Sequence, residues 1–115
     1  MNGEDLLEAY AAGERDFRKV DLSDEDLSLT NLSDINLSGA ILGQIVLEGT
    51  NLTGANLSNS YLFQSSFDNT NLSNADLSGA NMSESSLRNT ILDNANLSCA
   101  NLRGSCLRDS SIEPI

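Results

Sequence analysis

A large apolar side chain stands at every fifth position from Phe17 to Ile112, twenty times in succession without a skip. The series opens Phe17, Leu22, Leu27, Leu32 and passes through Phe67 and Met82 to Leu107 and Ile112, with mostly polar residues between. A period of five fits neither an α-helix at 3.6 residues per turn nor a strand at 2.0. Either would scatter these side chains over several faces. Disorder, the usual state of a polar acidic chain, keeps no register over so many units. The chain therefore turns a corner in every unit and points each central residue at a common axis.

A second period lies inside the first. Reading the residue two before the centre in every fourth unit gives the column Thr30, Thr50, Thr70, Thr90, Ser110. The neighbouring columns read Arg15, Ile35, Ala55, Ala75, Ala95, then Val20, Ala40, Ser60, Ala80, Ala100, then Glu25, Ile45, Ser65, Ser85, Ser105. A repeat of 20 predicts four units per turn, a square cross-section and five turns. Stacked at about 4.8 Å, five turns make a rod roughly 24 Å long. Small residues suit these columns because the position faces inward between bulky neighbours, and its hydroxyls then need carbonyl partners. Corners are predicted at the last two residues of each unit. Thirteen of the twenty final positions are Gly, Asn or Asp, the types that tolerate positive φ at the third residue of a type II turn. Parallel crossovers are right-handed in nearly all cases, so the coil is expected to be right-handed.

Units such as Ala55-Asn56-Leu57-Ser58-Asn59, Ala75-Asp76-Leu77-Ser78-Gly79 and Ala95-Asn96-Leu97-Ser98-Cys99 resemble the A(D/N)LxX consensus of pentapeptide-repeat proteins. The opening stretch Leu6 to Phe17 also resembles the N-terminal entry of cyanobacterial members. The resemblance implies an all-β solenoid, a right-handed quadrilateral β-helix of about five turns (twenty pentapeptides) with a short N-terminal capping α-helix, in agreement with the periodicity. The expected division is 1–14 for the capping helix and 15–115 for the repeat. Ile35, Ile45 and Val20 are large for their inward slots. Arg15 and Glu25 are charged there, which predicts a first turn that is splayed or capped differently.

Both ends of such a coil expose an unpaired edge and need covering. At the start, Asn2 is placed to N-cap a helix over roughly residues 3–12, with Asp5 completing a capping box and Gly13 stopping it. Leu6, Leu7, Tyr10 and Ala11 form the face expected to lie over the first turn. At the far end only Glu113, Pro114 and Ile115 follow Ile112. Either Pro114 blocks further strand addition there, or two chains meet in a homodimer.

Charge and composition narrow the chemistry. The chain has 115 residues, 6 basic against 17 acidic, a net −11, and no histidine. All six bases lie at or before Lys19 or at or after Arg88, which argues against direct nucleic-acid binding through a basic face. No apolar run approaches a membrane span, and the first five residues are acidic where a secretory signal is basic. Without histidine, a Ser or Cys nucleophile lacks its usual base, and Lys19 is the single lysine, so no catalytic residues, cofactor or enzyme activity are expected. Asp21, Asp24, Glu25, Asp26 and Asp34 lack the glycine and distal glutamate of a calcium loop and read as a solvated surface rather than a metal site. Cys99 and Cys106 fall on different sides of the square, beyond disulfide reach, and two free thiols fit a reducing cytoplasm. Glu48, Asp68, Arg88 and Arg108 are expected to stack in line, with Asp68 and Arg88 paired one rung apart at the surface.

Outward slots beside each centre should be polar, yet Ile41, Tyr61 and Phe63 are not. Ile41 and Tyr61 should stack in adjacent turns of one side, with Phe63 two residues on; Val46 and Ile91 point outward from other sides. The three are the candidate partner patch, set against the plainer reading of surface side chains that pack on one another. The expected function is a non-enzymatic, rigid acidic scaffold that binds an as yet unidentified protein partner. The alternative comes from the family resemblance: some members mimic duplex DNA and block gyrase, and residues 20–87 carry nine acids and no base. Members with that activity are longer, dimerise through a C-terminal module, and in some cases carry projecting loops, none of which this sequence shows.

Overall fold

A computed structural model describes residues 1–112; the Pro114 gatekeeper expected beyond Ile112 lies outside the described residues. Fifteen parallel bridges join residues twenty apart, from Asp16–Asn36 to Ser86–Cys106, four of them in every twenty residues. Each side therefore receives one short bridge per turn. The first side is centred on Phe17, Leu37, Leu57, Leu77 and Leu97, and the second on Leu22, Leu42, Leu62, Met82 and Leu102. The third follows Leu27, Leu47, Phe67, Leu87 and Leu107, and the fourth Leu32, Leu52, Leu72, Leu92 and Ile112. One step of twenty residues up a side is called a rung below. The Cα atoms span 41 × 21 × 19 Å, nearly equal in the two directions across the long axis.

Apolar centres fill the interior. From Phe17 to Leu87 every one is buried to within a few per cent of completely, and burying a leucine contributes on the order of 2 kcal/mol. Ile35 and Ile45 fit their inward slots and are fully buried. The threonines form a single file: the Oγ1 of Thr50 donates to the Leu27 carbonyl at 2.8 Å, and that of Thr90 to Phe67 at 2.7 Å. Thr70 donates to Leu47 in the same way. Thr50, Thr70 and Thr90 are thus satisfied by the rung beneath and Thr30 by the Leu27 carbonyl of its own turn, which removes the penalty of burying these hydroxyls. Ser110 Oγ, at the end of the file, is buried without a partner among the described residues.

Corners follow from closure of the coil. Every described final residue, from Lys19 to Asp109, has φ between 56 and 74°. The next amide closes the turn onto the centre, as Ala40 N–H does onto Leu37 at 3.1 Å, the hydrogen bond of a four-residue turn. Lys19, Leu29, Gln44, Gln64, Glu84 and Cys99 adopt this left-handed conformation without being Gly, Asn or Asp.

Helix α1 (Gly3–Ala11) covers the first turn. Asn2 Oδ1 accepts the Asp5 amide at 2.9 Å and Asp5 accepts the Asn2 amide, so the capping box is complete. Gly13, at φ 105°, follows the helix and donates to the Tyr10 carbonyl. Leu6 is fully buried, and Leu7 and Tyr10 pack half-buried against the core. Ala11 does not join that face; it is exposed, and Gly3 is buried instead. The helix meets the coil along residues 3, 6, 7 and 10, a stripe at helical spacing. Tyr10 Oη ties it down by donating to the Ser33 carbonyl at 2.7 Å.

The two charged inward residues are absorbed by this lid. Arg15 turns out of the coil, places its guanidinium 3.6 Å from the centroid of the Tyr10 ring, and donates to the Tyr10 and Glu14 carbonyls. Glu25 lies against Gly3, at the helix end that favours negative charge. Because Asp16, Asp21 and Asp26 keep the twenty-residue register, the first turn is capped and not splayed.

Candidate interaction surface

The outer face has a default wiring. Twelve of the twenty units carry Asn or Asp just before the centre. In every one, Oδ1 accepts the backbone N–H two residues on: at Asp16, Asp21, Asp26, Asn31, Asn36, Asn51, and at Asn56, Asn71, Asp76, Asn81, Asn96, Asn101. Where that later residue is Ser or Thr its hydroxyl often donates to the same oxygen, as at Ser58, Ser73 and Ser78. These local turns satisfy the corner without outside help.

Eight units break the pattern: Ile41, Val46, Tyr61, Ser66, Ser86, Ile91, Cys106 and Ser111. None lies on the first side, while Ile41 and Tyr61 are on the second and Val46, Ser66, Ser86 and Cys106 on the third. The other two, Ile91 and Ser111, are on the fourth side, so the departures number two, four and two on the second, third and fourth sides. On the third side, polar bonds cross between rungs instead. Ser66 Oγ donates to Glu48 at 3.0 Å, Ser86 Oγ donates to Asp68, and Arg88 Nε donates to Cys106 Sγ at 3.4 Å. Asp68 does neighbour Arg88, but it accepts the Arg88 backbone amide at 3.0 Å, while the guanidinium turns up to the sulfur. That hydrogen bond holds the Cys106 thiol below its ordinary pKa. Both cysteines are free, Cys99 exposed and Cys106 half-buried.

The second side carries the apolar departure. Ile41 is bridged to Tyr61 and the two are 46% and 45% exposed. The Tyr61 and Phe63 rings stack with centroids 6.1 Å apart at an interplanar angle of 27°. Gly43 makes room for this: a Cβ there would lie 3.1 Å from Tyr61 Cε2. At the corner toward the third side, Gln44 Nε2 donates to Gln64 Oε1 at 3.0 Å, with half-buried Val46 just beyond. One rung above Phe63 begins a shallow hollow of about 510 Å³ lined by Ser83, Glu84, Asn101, Arg103 and Gly104. The three candidate residues therefore stand together, while Ile91 (41% exposed) is on the fourth side. Sequence reasoning missed Leu29, which is 84% exposed at a left-handed corner and lies over Gly49.

Elsewhere the surface is acidic. Asp21 and Asp26 are held below the ordinary carboxylate range by hydrogen bonds from Ser23 and Ser28. Asp16 is held low by its bond to Arg18, whose Nε lies 2.8 Å away. Among the described residues no group of three or more His, Cys, Asp or Glu side chains is placed to hold a metal ion. No described helix is long and apolar enough to cross a membrane.

A parallel coil with four bridged sides per twenty residues and one left-handed corner per pentad defines a quadrilateral β-helix repeat protein. The family model for pentapeptide repeats matches residues 30–69 and 70–109, and the chain belongs to that family, whose members fold as right-handed quadrilateral β-helices and are generally structural or interaction scaffolds. The chain is similar to Rfr23, a pentapeptide-repeat protein from the cyanobacterium Cyanothece 51142, at 35% identity and a TM-score of 0.78. The match covers 81% of this chain, which spans 64% of the length of Rfr23. HetL, a pentapeptide-repeat protein of Nostoc sp. PCC 7120 involved in heterocyst differentiation regulation, matches at 19% identity and a TM-score of 0.54, over 96% of this chain and 94% of HetL. That second likeness is one of fold. No curated protein sequence matches the chain.

Proposed function

We propose that the protein is a non-enzymatic, cytoplasmic scaffold, a rigid acidic rod of about five turns that binds another protein through Ile41, Tyr61 and Phe63. One observation carries this reading. The Asn/Asp hydrogen bond that wires twelve corners is given up at Ile41 and Tyr61, on adjacent rungs of one side, for exposed apolar surface the fold does not need. Aromatic side chains of this kind are common anchors of protein contacts. Affinity capture from the source cell with the wild-type chain and with Y61S/F63S tests it: a specific partner is lost with the variant, and unchanged recovery removes the reading. At the far end Leu97, Leu102 and Leu107 are only half-buried, and a second copy meeting there covers them. Ultracentrifugation of concentrated protein showing monomer alone rules that contact out.

A second reading, a duplex-DNA mimic acting on a type II topoisomerase, is favoured by the base-free acidic stretch 20–87. A supercoiling assay separates the two. No effect on gyrase at micromolar protein leaves the scaffold alone.

A further inference from the structure

The charges around the apolar column select its partner. Asp21, Asp24 and Asp26 lie one rung below Ile41, Gln44 and Val46; Glu48 and Asp68 flank the column on the third side; Glu84 lies one rung above Gln64. Against these six carboxylates stand three bases near the column: Lys19 at the corner against Gly39, Arg88 on the third side, and Arg103 two rungs above Phe63. We infer that this surface docks a cationic polypeptide segment, its Lys and Arg side chains meeting the carboxylates while an apolar anchor lies on Ile41 and the Tyr61–Phe63 pair. The inference rests on the reading of this side as the binding surface and adds the class of partner.

Three features shape the fit. The backbone of this side is already committed between rungs, Leu42 N–H to Tyr61, Tyr61 N–H to Ala40 and Leu62 N–H to Asn81, so an added segment is held by side chains and not by strand pairing. The stacked rings present aromatic faces to a guanidinium, the arrangement this chain already uses where Arg15 sits over Tyr10 at 3.6 Å. A second copy brings the same six carboxylates against these, and a nucleic acid brings phosphates; like charge disfavours both.

A random dodecapeptide display library, panned on the wild-type chain, tests the inference. The expected peptides carry Lys or Arg beside at least one Leu, Ile, Phe or Trp. They bind the wild type about tenfold more tightly than Y61S/F63S, and weaken both with added salt and with D21N/D24N/D26N. A retained circular dichroism spectrum and a cooperative melt check that each variant keeps the coil. Neutral or acidic peptides that still require Tyr61 and Phe63 overturn the cationic partner and leave the binding surface standing. Cationic peptides that bind wild type and Y61S/F63S equally, or no enrichment at all, overturn the surface itself.

Discussion

Replacing Leu29 with Asn is expected to stabilise the protein. Leu29 holds φ 60°, where a residue with an ordinary Cβ crowds its own carbonyl at a cost of about 1–2 kcal/mol. Asn bears less of that cost because its short amide bonds locally. Against this stands the packing that Leu29 gives up. It is 84% exposed, so about one sixth of a side chain worth about 2.5 kcal/mol when fully buried is lost, roughly 0.4 kcal/mol. The net expectation is a gain of about 0.5–1 kcal/mol, or about 3 °C in melting temperature for a chain of this size. Circular dichroism melts and urea titration of L29N measure it. Asn69 sits in the same corner column two rungs up, also at φ 60°, and supplies the mirror experiment: N69L should cost a similar amount. A fall in stability for L29N together with a neutral N69L refutes the argument from backbone strain.

Three further outcomes follow from the same geometry. T90V deletes a buried hydroxyl but leaves its acceptor satisfied, because the Phe67 carbonyl also takes the Thr70 amide at 3.0 Å; urea denaturation should record a loss of about 1 kcal/mol and no more than about 1.5. G43S alone should destabilise by about 1 kcal/mol, its Cβ meeting the Tyr61 ring at 3.1 Å, whereas G43S with Y61N should not, and a double-mutant cycle reads that coupling directly. Asp21 and Asp26 titrate below their ordinary value when folded. Their contribution is therefore fully present above the unfolded carboxylate value of about 4 and disappears as pH falls through the folded one. In D21N/D26N the amide oxygen accepts the same bonds without titrating, so the melting temperature should drop less than in the wild type between about pH 5 and about pH 3.

The coil itself was legible because its interior repeats a large apolar centre in every unit and, two residues before it, a mostly small one. Threonines twenty apart announced their file, and the structure stacks them hydroxyl to carbonyl. The corners were legible in outline. Gly, Asn and Asp marked thirteen of them, yet Lys19, Leu29 and Gln44 turn the same way, since closing the square imposes the conformation whether or not the local residue favours it. The lid was readable from its capping box, apart from Ala11, where helical phase puts Gly3 on the buried stripe instead. Outside the coil the period is silent. That Asp68 meets the Arg88 amide while the guanidinium turns to Cys106 depends on rotamers at a solvated face, and neighbouring charges one rung apart have no fixed way to pair.

The independence of outside from inside is what makes the departures informative. Interior leucines and rung-to-rung amide bonds hold the coil whatever stands outside, so an outer position is free to follow the local default. At Asn51, Asn56 and Asp76 it does, and the carboxamide or carboxylate secures its own corner. Giving up such a bond costs about 1 kcal/mol by analogy with a helix cap, so Ile41 and Tyr61 together forgo about 2 kcal/mol, appreciable against a total stability of about 5–15 kcal/mol. Ring stacking of Tyr61 on Phe63 and the partial burial of Ile41 return some of it. An Asn or Asp followed two residues on by Ser returns as much without leaving aromatic surface in water, as the first side shows on four successive rungs from Asn36 to Ser98. Stability alone therefore gives no reason for apolar residues at these two rungs, and a partner that covers them does.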